Sequence, residues 1–165
     1  MVTAPGSKGA LAKTLIFTLL VPGFVAGLVP WWLRGDSGIA VRGAQGWLAL
    51  ALISIGAAIY LYTALWSFAW VAGGTPAPFA PTKTLVVHGL HHFVRNPMYI
   101  GVGSVIAGQA WLFGSLHIAV YLVVWALMVH LFVLFYEEPT LRRQFGEEYE
   151  RYSASVPRWL PKIRV

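Results

Sequence analysis

Charged residues along this chain leave three long uncharged runs, at 14–33, 43–82 and 96–136. In the second, the apolar part extends from Trp47 to Ala72. A helix that crosses a bilayer needs about 20 apolar residues at ~1.5 Å each. The first two runs supply one helix apiece. The third would make a helix of about 60 Å, twice the hydrocarbon thickness, so it has to turn back. Gly114 and Ser115, between Trp111 and His117, are the best place for that turn. The pattern predicts four spans, about 13–33, 46–72, 98–113 and 116–137, the last two a tight hairpin. A cleaved leader is the rival reading of the first run. The run is long for one, and Pro30-Trp31-Trp32-Leu33-Arg34 is a poor cleavage sequence.

Outside the spans the character changes. Residues 73–81 are rich in Gly and Pro and read as a non-helical connector. From Pro139 to Tyr152 the chain is polar and rich in Glu and Arg, and reads as a short soluble helix with Glu147 and Arg151 at i,i+4. Pro157 and Pro161 end regular structure. The expected architecture is a single all-α membrane-embedded domain, 1–165, with a tail at 138–165.

Composition agrees with that picture and excludes others. Hydrophobic residues are 58% of the chain and charged residues 11%. A soluble domain carries about 45–50% and about 25%. The net charge of +6 fits membrane-edge basic residues better than a nucleic-acid face, so nucleic acid is not an expected partner. There is no cysteine, which removes disulfides and thiolate chemistry. Four spans would place ten of the Lys and Arg residues on one side, leaving only Arg34 and Arg42 on the other. By the positive-inside rule both termini are expected in the cytoplasm. Most of the tryptophans, among them Trp31, Trp32, Trp47, Trp70 and Trp111, stand near span ends, as interfacial anchors do.

The candidate chemistry is concentrated in two places. Residues 88–99 (His88, His91, His92, Arg95, Asn96, Pro97, Tyr99) enter the third span, and Glu137-Glu138 leave the fourth. The hairpin sets the two segments side by side at the cytoplasmic surface. An Arg/His cluster facing two carboxylates at a membrane edge is a functional site by default. It is equally well explained by Arg95 snorkelling to lipid phosphates and the glutamates solvating a helix end. His88, His91 and His92 have the His-x-x-His-His spacing of a di-iron desaturase box, but His117 and His130 are the only other histidines, too few for that site. His130 reads as a general base or as a packed polar residue, and Gln109 as a hydrogen bond between helices. Gly101, Gly103, Ser104, Ala107 and Gly108 either leave a sideways opening to the bilayer beside span two or let the helices pack closely.

The order of these residues resembles the isoprenylcysteine carboxyl methyltransferase and phospholipid N-methyltransferase superfamily. The matching residues are Gly89, then Arg95-Asn96-Pro97-Met98-Tyr99-Ile100-Gly101, then Glu137-Glu138 and Leu141. They continue with Phe145-Gly146-Glu147-Glu148-Tyr149, Tyr152, Val156-Pro157-Arg158 and Pro161. Asn96 stands where many members carry His, and Leu90-His91 where Gly-x-Tyr is usual. The stretch Gly73-Gly74-Thr75-Pro76 is similar to bacterial members, which implies a bacterial inner membrane. The resemblance implies methyl transfer from S-adenosylmethionine (SAM) to a lipophilic acceptor taken from the membrane lipids. That acceptor would be a prenylcysteine carboxylate, a phospholipid amine or another membrane-soluble molecule. His88, Gly89, Leu90, His91, His92, Arg95, Asn96, Pro97, Tyr99, Glu137 and Glu138 are then the cofactor-binding candidates. Arg95, Glu137 and Glu138 are the catalytic candidates, with no metal. A sterol-type NADPH-dependent membrane reductase and a non-catalytic membrane adaptor are the alternatives.

Overall fold

The computed structural model describes residues 8–71 and 85–162, and the Gly/Pro connector expected at 73–81 lies outside them. All the regular elements among the described residues are helices, with no strand among them. Three helical stretches are long and apolar enough to cross a membrane: Thr14–Leu33, Gly43–Trp66 and Leu116–Phe145.

The first is built from α1 (Lys8–Leu20), a π-helical turn (Phe24–Leu28) and α2 (Val29–Leu33). Its irregularity follows from Pro30. Proline has no N–H, so the carbonyl it would have paired, that of Ala26 in an α-helix or of Val25 in a π turn, loses its helical donor. Two other helices supply replacements. Tyr121 donates its hydroxyl to the Val25 carbonyl at 2.9 Å, and Gln109 donates Nε2 to the Ala26 carbonyl at 2.6 Å. Gln109 is thus the interhelical hydrogen bond that the sequence suggests.

The second stretch is α3 (Gly43–Leu61), continued as a π-helix over Tyr62–Val71. Next come a 3₁₀ turn (Gly89–His92) and α4 (Pro97–Phe113). α4 has 17 residues, about 25 Å, shorter than the ~30 Å hydrocarbon core. Its turn into α5 (Leu116–Phe132) falls where the sequence puts it. Gly114 is in the left-handed region at φ 56°, and the Ser115 hydroxyl accepts from the Ile118 N–H. The Ala40 N–H caps the Leu112 carbonyl from the preceding loop at 2.9 Å.

α3 and α4 approach backbone to backbone. A Cβ on Gly56 would lie 2.6 Å from the Gly101 oxygen, and one on Gly101 2.7 Å from the Gly56 oxygen. A Cβ on Gly108 would meet Ile53 Cγ1 and the Ala49 carbonyl. Gly101 and Gly108 are therefore packing contacts, and they close the opening beside span two that the small residues also allowed.

The fourth span does not stop at 137. α5 passes through a π turn (Val133–Glu137) straight into α6 (Glu138–Phe145), and the break comes at Gly146, ahead of α7 (Glu147–Ser155). Pro139 does not interrupt it. The ladder there is already shifted, with the Glu138 N–H bonding the Val133 carbonyl five residues back, so the proline costs a single hydrogen bond without ending the helix. The separate helix expected over 139–152 is accordingly divided between α6 and α7.

Candidate functional site

Glu138 is the hub at the Pro97 end of the α4–α5 hairpin. Its carboxylate is nearly sealed from solvent, at 6% exposed. It accepts a two-pronged contact from Arg158, Nε to Oε1 at 2.6 Å and Nη2 to Oε2 at 3.0 Å. Arg95 Nη1 reaches the same Oε1 at 3.1 Å and donates to the Tyr149 hydroxyl at 3.3 Å. The fork of a guanidinium matches a carboxylate, so this is a strong, charge-assisted contact. The Glu138 bond raises the Arg158 pKa from its ordinary value.

Arg158 belongs to a strap, residues 156–162, that leaves α7 and crosses in front of α4. Two backbone bonds tie the strap down, Arg95 N–H to the Pro157 carbonyl at 2.9 Å and Lys162 N–H to the Phe93 carbonyl at 3.0 Å. Asn96 Nδ2 donates to the Arg158 carbonyl at 3.2 Å. Asn96 therefore positions the strap. The Tyr152 hydroxyl donates to the His91 carbonyl at 2.8 Å, joining α7 to the 3₁₀ turn. Burial raises the Tyr152 and Tyr149 hydroxyl pKa values, and for Tyr149 the nearby Glu138 charge adds to the rise.

Glu137 faces a different partner. The Tyr99 hydroxyl donates to its Oε2 at 2.9 Å, bridging the start of α4 and the end of the α5 π turn. The two adjacent carboxylates are thus divided, Glu138 neutralised between two arginines and Glu137 held by a neutral phenol.

The histidines do not act together. His91 is buried, and burial depresses its pKa to about 4. His92 is exposed. His88 carries a buried Nε2 with no hydrogen-bond partner. Among the described residues, no three His, Asp or Glu side chains gather into a metal-holding cluster. Gly89 has φ 63°, and a Cβ there would lie 2.8 Å from the Tyr62 hydroxyl oxygen. Glycine lets the turn close against the second span. Leu90 sits half-buried in the same turn, and Pro97 opens α4 at its first helical position. His130 is on α5, where its Nδ1 accepts from Trp159 Nε1 at 3.0 Å. Trp159 drew no attention in the sequence, because nothing local marks a strap residue that reaches another helix.

The structure therefore brings together Arg95, Asn96, Tyr99, Glu137 and Glu138, and adds Tyr149, Arg158 and Trp159. A profile of phospholipid methyltransferases matches residues 43–148 of this arrangement, from the start of α3 into α7. The chain belongs to the phospholipid methyltransferase family. No curated protein and no solved structure matches it significantly. The matched region includes both glutamates and the whole 88–99 segment. Arg158 and Trp159 lie beyond its end, yet they contact the matched residues directly.

Proposed function

We propose that the protein transfers a methyl group from SAM to the amine headgroup of a membrane phospholipid, at the Pro97 end of the α4–α5 hairpin and on the cytoplasmic side. The family supports methyl transfer. The observation that carries the rest is the Tyr99–Glu137 pair, a carboxylate held by a single neutral donor beside the ionic hub. SAM would supply an electrophilic methyl on a sulfonium and needs polar partners for its carboxylate and ammonium. The residues present fit such a group. Arg95 Nε and His88 Nε2 are buried polar atoms without partners, both on the 88–97 segment, and a polar ligand would satisfy them.

An amine acceptor has to lose a proton before its nitrogen can attack, and Glu137 is the nearby carboxylate not committed to arginine. Tyr99 fixes the direction of that carboxylate. Glu138, fully paired, positions Arg95 rather than touching the reactants. The strap and α7 cover this end of the hairpin and keep water from it, which matters because in-line transfer needs the reacting atoms held about 3–3.5 Å apart. The Lys and Arg distribution supports placing this end in the cytoplasm, where the water-soluble donor is found.

The test is mass spectrometry of lipid extracts incubated with the purified protein and deuteriomethyl-SAM. Deuteriomethyl label on phosphatidylethanolamine is expected. Label on a prenylcysteine carboxylate alone would move the acceptor to that class. SAM binding without label in any lipid would overturn the reading.

A further inference from the structure

We propose that Trp159 determines which lipid chains reach Glu137, because its indole fills the gap between α4 and α5 through which an acyl chain would approach. The inference rests on the lipid-methylating reading above.

The sideways route between α3 and α4 is closed by the contacts of Gly56 with Gly101 and of Gly108 with Ala49 and Ile53. The α4–α5 pair is different. These helices touch midway, where Gly103 meets the Trp125 ring, and again at the polar end, where Tyr99 bonds Glu137. Near the polar-end bridge, the space between Tyr99 and His130 is filled by a side chain from neither helix. The Trp159 ring centre lies 6.4 Å from that of Tyr99 and 6.0 Å from that of His130, and the Trp159 N–H is latched to His130 Nδ1. The neighbouring surface of α5 is apolar and open, with Leu127 58% and Leu131 42% exposed, and Leu160 on the strap is 80% exposed. In a bilayer the exposed apolar side chains of this spanning stretch would lie against lipid tails.

On this proposal a straight acyl chain lies along the rim of the gap beside the indole, whereas a branched or ring-bearing one needs the indole's own volume. Trp159 thus acts as a sizing residue held on a strap, and His130 is its positioning partner.

Wild-type, Trp159→Ala and Trp159→Phe proteins are placed in phosphatidylcholine vesicles with a phosphatidylethanolamine bearing a diazirine on its acyl chain. After irradiation the labelled peptides are mapped. Wild type is expected to be labelled on the outer face of α5 and at the strap. Trp159→Ala should shift label inward onto the α4 segment around Tyr99, several-fold above wild type, while Trp159→Phe, which keeps a ring but loses the N–H latch to His130, should fall between the two. In methyl transfer, Trp159→Ala should raise the preference for branched over straight chains at least fivefold through KM, with SAM affinity within twofold. Unchanged labelling of α4, or a fall in SAM affinity with unchanged chain preference, overturns the proposal. Should Trp159→Ala not fold, His130→Ala removes the latch and leaves the ring. A rise in α4 labelling is then expected, and its absence is equally decisive. If the label shifts as stated but wild type methylates no lipid, the gap assignment holds and the methyl-transfer reading fails.

Discussion

Replacing Glu138 by Ala deletes the acceptor of three contacts at once and leaves two guanidinium groups facing each other. The side chains of Arg95 and Arg158 are 12% and 26% exposed. Arg158 can regain water at its open edge, but Arg95 cannot. Breaking a buried ion pair from one side costs about 3–5 kcal/mol, and the partial exposure of Arg158 argues for the lower end, about 3 kcal/mol. Glu147 provides the control on α7. Its contact with Arg151 is 3.4 Å long, between side chains 93% and 74% exposed. Such pairs contribute roughly 0–1 kcal/mol, so Glu147→Ala should be nearly neutral. Thermal unfolding of both variants in one detergent, followed by circular dichroism, makes the comparison, and limited proteolysis reports release of the strap. Glu138→Gln, which keeps an acceptor oxygen without the charge, should fall between. Stabilities of Glu138→Ala and Glu147→Ala within about 0.5 kcal/mol of each other would refute the hub. SAM affinity lost in Glu138→Ala is expected to follow from a displaced Arg95, so conditions that keep the strap seated should restore part of it.

Gly101→Ala places a methyl 2.7 Å from the Gly56 oxygen and 2.9 Å from the Tyr60 nitrogen; a loss of about 2 kcal/mol or more is expected in unfolding titrations, whereas Gly27→Ala, with open space around it, should cost little. Gln109→Leu leaves the Ala26 carbonyl without its donor and should cost about 0.6–1.7 kcal/mol, measured by the same titration. His91 is held neutral, its pKa lowered to about 4 from an ordinary 6.5. The unfolded chain therefore binds the extra proton first, and the stability this group contributes is present above pH 6.5 and lost as pH falls towards 4. Wild type should lose on the order of 3 kcal/mol more than His91→Gln across that window, and parallel pH profiles would exclude the effect. A reporter active only outside the cytoplasm, fused after Val165, should stay silent. Strong activity would reverse the orientation argued from the basic residues.

Features governed by nearby chemistry were legible in the sequence. The turn at Gly114-Ser115 needs only a left-handed glycine and a serine cap, and both stand in the sequence beside apolar runs of the right length. The meeting of the 88–99 segment with Glu137-Glu138 follows from that hairpin. What escaped was the division of labour within the site. Nothing at positions 137 and 138 says that one carboxylate faces Tyr99 and the other two arginines, since that depends on the π turn and on a strap returning from 20 residues further along the chain. Pro139 misled for a similar reason. It breaks a regular helix, but the turn before it is not regular. Trp159 and His130 are 29 residues apart and belong to no shared local pattern.

The π turn at Val133–Glu137 has a consequence for how this helix tolerates change in length. Such a turn is an α-helix carrying one residue too many. Because the surplus residue is taken up within one widened turn, the helix beyond stays close to the phase of the span. Deleting one residue from that turn would restore ordinary bonding with little rotation of Glu138, whereas deleting one from the regular α5 would rotate everything beyond by about 100°. Glu138 would then swing away from Arg95 and Arg158 while every side chain of the hub was still present. The wide turn is slack between the membrane-facing and polar parts of one continuous rod, a length that the regular turns beside it cannot give up.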